Sequence, residues 1–172
     1  LELLGQNTKS TKLEVLKELL EELRDSGQKV LIFSEFAEMC KILKRELNNY
    51  NPLMIIGETP AKARQVVLNN FNQEAEHQVC VLSSAGQFGL NITAANVIVN
   101  YDLPFSLSKF EQRIGRAHRI GQKRNVMVYN LLGKGTADMA IKKIIHGKAK
   151  LATELLGDTP VTMTDIKAML TI

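Results

Sequence analysis

The chain has 172 residues, of which 45% are hydrophobic and 23% are charged, a composition typical of one globular domain. It lacks a run of about 18 apolar residues and an opening signal peptide, so we expect neither a membrane nor a secretory context. The net charge of +4 permits a polyanionic partner without demanding one. Because the first residue is Leu1 rather than methionine, we expect the sequence to be a fragment of a longer protein.

The two cysteines, Cys40 and Cys80, lie inside apolar runs. Neither belongs to a C-x-x-C pair or lies beside a histidine-rich stretch, which are the patterns typical of metal sites and redox pairs. We therefore predict that both are thiols of the core, and we predict no disulfide and no metal site in the chain.

Hydrophobic periodicity divides the chain into alternating helices and strands. Leucines at helical spacing predict an amphipathic first helix, which ends at the turn formed by residues 25–27. Short apolar runs, such as the one from Val30 to Phe33, predict strands that are buried on both faces. The predicted strands lie at 29–33, 53–56, 78–82, 97–99 and 126–132. The predicted helices lie at 11–23, 35–47, 60–71, 108–120 and 136–156.

Strands and helices alternate, with connections that are too long for hairpins. We therefore predict an α/β fold with a parallel sheet flanked by helices, in which ligands collect at the carboxyl ends of the strands. Residues 158–172 contain a Thr-Pro turn and a short apolar segment, and we predict that they form a short C-terminal extension. This extension packs either on the domain or on a neighbouring part of the protein.

A basic stretch at 112–122, QRIGRAHRIGQ, is the most informative part of the sequence. On a helix, Arg113, Arg116 and Arg119 recur every third residue and line one side. Their planar, always charged guanidinium groups suit a polyphosphate whose oxygens gain charge in a transition state. The alternative is a solvated basic face that is paired with carboxylates. Gly115 in the helix interior costs about 1 kcal/mol relative to alanine, which indicates that another group approaches closely there.

The stretch at 82–91, LSSAGQFGLN, follows the third predicted strand. Two glycines and two serines after a buried strand allow backbone N–H groups to approach a phosphate closely. Glycine also occurs in strand-to-helix turns for purely geometric reasons. The stretch by itself is therefore compatible with a phosphate site and with an ordinary turn.

These two stretches resemble known motifs. QRIGRAHRIGQ resembles motif VI of superfamily 2 helicases, and its RAHRIGQ portion is specific to the Swi/Snf-type ATPases, which translocate on double-stranded DNA. The stretch at 82–95 resembles motif V of that family, and KVLIFSEF at 29–36 resembles its motif IV. GETP at 57–60 and NYD at 100–102 resemble further segments, so that the resemblance covers residues 10–157.

The resemblance implies a RecA-like C-terminal lobe of the P-loop NTPase type at residues 1–157, with an N-terminal RecA-like lobe in the same polypeptide. In that family Arg116 and Arg119 would be arginine fingers, which reach ATP held with Mg²⁺ mainly by the N-terminal lobe. Two further groups of residues are implied. The nucleotide side of the cleft would include Gly86, Gly89, Asn91, Gln112 and Arg113. The surface for the DNA backbone would include Ser83, Ser34, Gly57 and Thr59.

The sequence lacks the G-x-x-x-x-G-K-[ST] loop that cradles ATP and a D-E-x-H box for magnesium. We therefore expect DNA-dependent ATP hydrolysis from a full-length protein with both lobes, and none from this chain alone. The alternatives are a non-catalytic nucleic-acid or protein-binding scaffold and a strand-separating superfamily 2 helicase. The expected partner is double-stranded DNA, in the nucleus of a eukaryote or in the nucleoid-associated cytoplasm for a prokaryotic or viral protein. Repair, transcription and remodelling remain open as processes.

Overall fold

The computed structural model describes residues 11–86, 90, 92, 94–117, 125–156 and 169–171. The strands in this part are β1 Val30–Ser34, β2 Leu53–Ile55, β3 Val79–Ser83, β4 Val97–Asn100, β5 Met127–Leu132 and β6 Met169–Thr171. The α-helices are α1 Thr11–Leu23, α2 Ala37–Glu46, α3 Ala61–Gln73, α4 Leu107–Ala117 and α5 Ala137–Leu156. Short 3₁₀ helices, Arg24–Ser26 and Asn48–Tyr50, follow α1 and α2.

The strands form one parallel sheet in the order β2-β3-β1-β4-β5-β6. β1 lies between β3 and β4, so that Phe33 is level with Leu82 on one side and with Asn100 on the other. Because all the strands run in the same direction, their carboxyl ends meet at one edge of the sheet, which we call the carboxyl edge. Ser34 and Ser83 lie in register at this edge.

Helices cover both faces of the sheet, and the central strands β1, β3 and β4 are therefore fully buried. Successive side chains of a strand point to opposite faces, so Phe33 enters one core layer while Ile32 enters the other. On the Ile32 side, α1 and α2 contribute Leu16, Leu19, Leu20, Leu23, Cys40 and Leu43. On the Phe33 side, α3, α4 and α5 contribute Leu68, Phe71, Phe110, Ile114, Ala117 and Ile145.

The predicted alternation of five strands and five helices is confirmed, and the ends that are described agree with the prediction to within one or two residues. Pro60, which was expected as the first residue of the third helix, is instead the residue that directly precedes it. The structure adds β6, which lies beside β5 with Leu170 level with Leu131. Residues 169–171 of the predicted extension therefore belong to the same sheet as the rest of the domain.

The core thiols are also confirmed, because Cys40 and Cys80 are both free and buried. Burial raises the pKa of each thiol to about 12. Among the helices that the structure describes, none combines the length and the apolar character that crossing a membrane requires.

Candidate functional site

The candidate site lies at the carboxyl edge, where the segments after β1, β3 and β4 come together. Backbone hydrogen bonds continue past the strands, since Ser84 N donates to Ser34 O at 3.1 Å and Tyr101 N donates to Phe33 O at 2.9 Å. Helix α4 follows β4 and directs Arg113 at all three segments. The parallel topology thus brings together polar groups that are far apart in the sequence.

Arg113 forms the centre of this site and has 0% of its surface exposed. Its Nη1 donates to Asn100 Oδ1 at 2.7 Å and to Asp102 O at 2.8 Å. Its Nη2 donates to Glu35 Oε1 at 2.6 Å and to Ser84 Oγ at 3.3 Å. Both ends of the guanidinium fork are therefore engaged by oxygens of the same chain.

The charge of Arg113 is balanced inside the protein. Burial lowers the pKa of Arg113 to about 10, while the negative charges of Glu35 and Asp102 act in the opposite direction. The guanidinium is therefore charged at neutral pH, and it lies 5.3 Å from the centre of the Phe33 ring, within cation–π range. The Glu35 carboxylate is 6% exposed, and its second oxygen lies 3.5 Å from Lys109 Nζ.

These contacts correct two expectations about the basic stretch. The solvated face is wrong for Arg113 and Arg116, which are 0% and 6% exposed, although Arg113 does pair with a carboxylate, that of Glu35. A nucleotide contact does not fit Arg113, because its own chain surrounds the side chain and accepts hydrogen bonds from both Nη groups. Gln112, by contrast, is exposed on α4.

Arg116 lies one helical turn beyond Arg113. Its Nη1 donates to Leu90 O at 3.1 Å, which connects the end of α4 to the segment that follows β3. The guanidinium is thereby held close to the carboxyl edge. Arg119, the second expected finger, lies outside the described residues.

Ser34 is fully buried, and its hydroxyl group is occupied by neighbours. Its Oγ donates to Asp102 Oδ2 at 2.5 Å and accepts a hydrogen bond from Phe36 N at 3.2 Å. Burial raises the pKa of the Asp102 carboxyl, while the Ser34 hydrogen bond and the Lys12 charge act against that rise. The DNA contact expected for Ser34 therefore does not fit, because its hydroxyl group both donates and accepts a hydrogen bond within the chain.

The turn after β3 is held by its own hydrogen bond, which Gly86 N donates to Ser83 Oγ at 3.0 Å. Ser83 is only 2% exposed. Gly86 has a geometric reason to be glycine, because a Cβ atom there would lie 2.5 Å from Ile55 O and 2.9 Å from Ile56 Cα. These are backbone atoms at the end of β2. The other two residues expected on the nucleotide side, Gly89 and Asn91, lie outside the part of the chain that the structure describes.

Gly57 and Thr59 belong to the turn after β2, at the accessible part of the carboxyl edge. Gly57 is exposed and Thr59 is partly exposed. Arg64 Nη2 donates to Gly57 O at 2.8 Å, and Thr59 Oγ1 accepts a hydrogen bond from Ile56 N at 3.0 Å. A Cβ atom on Gly57 would lie 3.0 Å from Ala85 Cβ, so this turn lies against the turn after β3.

Sequence reasoning singled out the stretches 29–36, 82–91 and 100–102 but assigned no site role to four polar residues in them that organise the site, namely Glu35, Ser84, Asn100 and Asp102. Each of them lies at or just after the carboxyl end of a buried strand. Polar side chains in such positions need hydrogen-bond partners, so their presence there was a signal of a buried network.

Comparison with known proteins identifies the family. Residues 11–121 match the family described as "Helicase conserved C-terminal domain". The ATP-dependent helicase fft2 of Schizosaccharomyces pombe is 36% identical over 152 residues, which are 87% of this chain and 12% of fft2. The SWI2/SNF2 ATPase core of Sulfolobus solfataricus in complex with dsDNA is 32% identical, with a TM-score of 0.68. This chain is a Swi/Snf-type C-terminal helicase lobe.

Solved structures confirm the RecA-like fold expected for the lobe, a parallel sheet flanked by helices. The C-terminal part of the Fun30 ATPase domain has a TM-score of 0.74 and 28% identity, and the match covers 91% of this chain and 48% of that one. The match to the Sulfolobus core covers 86% of the lobe and 32% of the core. The lobe thus spans only part of the length of each of these proteins.

Proposed function

We propose that the lobe is part of a DNA-dependent ATPase that translocates on double-stranded DNA. The observation that carries the proposal is the position of Arg116, which α4 and Leu90 O hold at the carboxyl edge beside the segment that follows β3. Two similarities support it: fft2 is an ATP-dependent helicase, and the Sulfolobus core was solved in complex with dsDNA.

Arg116 and Arg119 are proposed as the arginine fingers of this ATPase. When bound, mainly by an N-terminal RecA-like lobe, ATP with Mg²⁺ supplies the phosphoryl group that passes to water. Arg116 fits this group because a charged guanidinium fork at the sheet edge matches phosphate oxygens. With ATP bound and the lobes closed, Arg116 would lie beside the phosphate oxygens and would stabilise the charge that develops on them. An arginine finger contributes a factor of about 10³ to 10⁵ to the rate.

The remaining expected contacts are proposed for Ser83 and Gly86 in the buried turn after β3, for the exposed or partly exposed Gly57, Thr59 and Gln112, and for residues outside the described part. The nucleotide side is assigned to Gly86, Gly89, Asn91 and Gln112. The DNA backbone is assigned to Ser83, Gly57 and Thr59. Because these DNA contacts go to phosphates, binding is independent of sequence and weakens as salt increases. The protein then acts where its DNA lies, in the nucleus of a eukaryote or the nucleoid region of a prokaryote.

ATP hydrolysis by a protein that contains this lobe and an ATP-binding lobe tests the proposal, with and without duplex DNA. Arg116→Ala and Arg119→Ala are each expected to lower DNA-stimulated turnover by a factor of about 10³ or more while ATP still binds. Arg45→Ala is the matched control, because Arg45 is an exposed arginine on α2 that pairs with Glu46 next to it. The control is expected to retain wild-type turnover.

The outcome also decides between the alternatives. Turnover that is absent, or that is unchanged by both arginine substitutions, contradicts the motor and favours a non-catalytic binding scaffold. Displacement of one strand from a forked duplex would place the protein among the strand-separating helicases instead. Binding to duplex DNA at low and high salt completes the test of the phosphate contacts.

A further inference from the structure

The buried contact between Glu35 and Arg113 joins segments that the proposed function assigns to different ligands. We propose that these two residues are a positioning pair, which fixes Arg116 on α4 relative to the turn after β3. The inference rests on the proposed function, because that function assigns the nucleotide to Arg116 and a DNA phosphate to Ser83 in this turn.

Arg113 binds two separate strand ends at the same time. After β1, Glu35 Oε1 accepts from its Nη2 at 2.6 Å. At the end of β4, Asn100 Oδ1 and Asp102 O accept from its Nη1 at 2.7 and 2.8 Å. The planar fork sets the directions of these bonds, whereas the single ammonium group of a lysine would not reproduce them. Helix α4 is thereby fixed against the sheet in one orientation.

Glu35 extends this connection to the turn after β3. Ser84 Oγ donates to the same Glu35 oxygen that binds Arg113. Ser84 N also donates to Ser34 O at 3.1 Å, so the turn is attached to β1 through both its backbone and its side chain. Because Ser84 directly follows Ser83, a displacement of Glu35 moves the residue that is assigned to a DNA phosphate.

Arg116 lies three residues after Arg113 and therefore occupies a neighbouring position on α4. A rotation or shift of α4 that breaks the contacts of Arg113 carries Arg116 with it. The side chains of Glu35 and Arg113 are 6% and 0% exposed, so water screens their attraction little. Removing either charge is therefore expected to destabilise the fold, because the other charge stays buried. The Glu35–Arg113 pair thus positions both Arg116 and the turn after β3.

Steady-state ATP hydrolysis by a protein with both lobes tests this role. Glu35→Gln and Arg113→Lys keep long polar side chains but break the charged fork. We expect kcat to fall by a factor of about 10 to 100, as for reacting groups displaced by about 1 Å, and KM for ATP to stay within about twofold. Stimulation by duplex DNA is expected to fall together with kcat, because the pair joins the DNA-facing turn to α4.

A double variant separates positioning from stability. Arg113→Met leaves the buried Glu35 charge without its closest charged partner, so that only exposed Lys109 at 3.5 Å and the Ser84 hydroxyl remain, and adding Glu35→Gln removes that charge. We expect the double variant to have a higher Tm than Arg113→Met while its kcat stays low, because neither new side chain attaches α4 to the turn. Asp138→Asn is the matched control, since Asp138 forms a largely buried ion pair with Lys12 at 2.6 Å. The control should lower Tm and leave kcat of the folded protein unchanged.

Amide hydrogen exchange of the purified chain gives a readout that needs no ATP. Glu35→Gln is expected to increase exchange both in α4 and at residues 84–86, and Asp138→Asn in neither. Increased exchange in only one of the two segments, or a double variant whose kcat recovers with its Tm, would overturn the positioning role. Failure of the proposed function is recognised separately, by wild-type turnover of Arg116→Ala.

Discussion

Asn100 Nδ2 donates a hydrogen bond to Asn130 Oδ1 at 2.8 Å, and both side chains are 0% exposed. Arg113 sets the direction of this bond, because its Nη1 donates to Asn100 Oδ1 and so turns the amide nitrogen toward β5. Asn130 Nδ2 has no hydrogen-bond partner among the described residues. Asn130 lines a cavity of about 20 Å³ together with Phe110 and Ile145. The buried chain of hydrogen bonds from Arg113 through Asn100 to Asn130 therefore ends at Asn130 Nδ2, which has no partner among the described residues.

From the direction of the hydrogen bond between Asn100 and Asn130, we predict that Asn100 contributes more to stability than Asn130. Asn100→Ala takes one acceptor from Arg113 and removes the partner of Asn130, so we expect the free energy of unfolding to fall by about 2 to 3 kcal/mol. Asn130→Ala removes one hydrogen bond together with a donor that is already unpaired, so we expect a loss of about 1 kcal/mol. Urea denaturation of the purified chain measures both. A larger loss for Asn130→Ala would contradict the assigned amide directions.

Asp102→Asn is expected to change how stability depends on pH. Burial raises the folded-state pKa of Asp102 above its ordinary value of 3.8, against the opposing effects of Ser34 and Lys12. Its contribution to stability is therefore complete below the unfolded pKa and is lost as pH rises through the folded pKa. We expect the wild type to lose stability relative to the variant between acid and neutral pH, measured by urea denaturation across that range. A difference that does not vary with pH would argue against a raised pKa.

Cys40 and Cys80 are expected to be unreactive toward thiol reagents in the folded chain. Both are buried, and burial raises the pKa of each thiol to about 12. At pH 8 only about one thiol in 10⁴ is then the nucleophilic thiolate. A colorimetric disulfide reagent is expected to detect no thiol in the native chain and two after denaturation. Rapid reaction of native protein would show that the core opens around one of them.

The sheet could be predicted because each of its central strands is a continuous apolar run, such as Val79 to Leu82, and the local pattern reports burial directly. Hydrophobic spacing likewise predicted the helices that cover the two faces. β6 was not predicted although β2 is equally short, because β2 lies between two predicted helices whereas β6 lies beyond the last one. Such a short strand forms by hydrogen bonding to the edge of β5, which is a tertiary contact that the local sequence does not show.

The site was predicted less well because its bonds join distant parts of the chain. Arg113 and Arg116 have the same spacing pattern in the sequence, which favoured one shared role. In the structure Arg113 finds Glu35, 78 positions away, and becomes buried, while Arg116 contacts Leu90 O at the segment after β3. The spacing of the arginines is a local property, whereas their different partners depend on which strands are neighbours. The order of the strands is not encoded in that spacing.

Two glycines of the site region are predicted to respond to alanine in opposite directions. At Gly86 a Cβ atom would lie 2.5 Å from Ile55 O, so one of the two backbone segments must shift. We expect Gly86→Ala to lower the free energy of unfolding by about 1 to 3 kcal/mol, the range for overpacking. At Gly115, inside α4, a Cβ atom would meet nothing within 4 Å. Gly115→Ala is expected to raise stability by about 0.5 to 1 kcal/mol, because alanine favours a helix interior.

The same Gly115→Ala variant tests why a helix interior keeps this glycine. The open space beside Gly115 lies on the helix that carries Arg116, so we expect the N-terminal lobe to approach α4 there when the two lobes close. In a protein with both lobes, the variant is therefore expected to hydrolyse ATP more slowly although the chain is more stable. Thermal unfolding of the chain and DNA-stimulated turnover measure the two effects separately. If stability rises and turnover stays at the wild-type level, no close approach that matters for turnover occurs at Gly115, and the expectation is wrong.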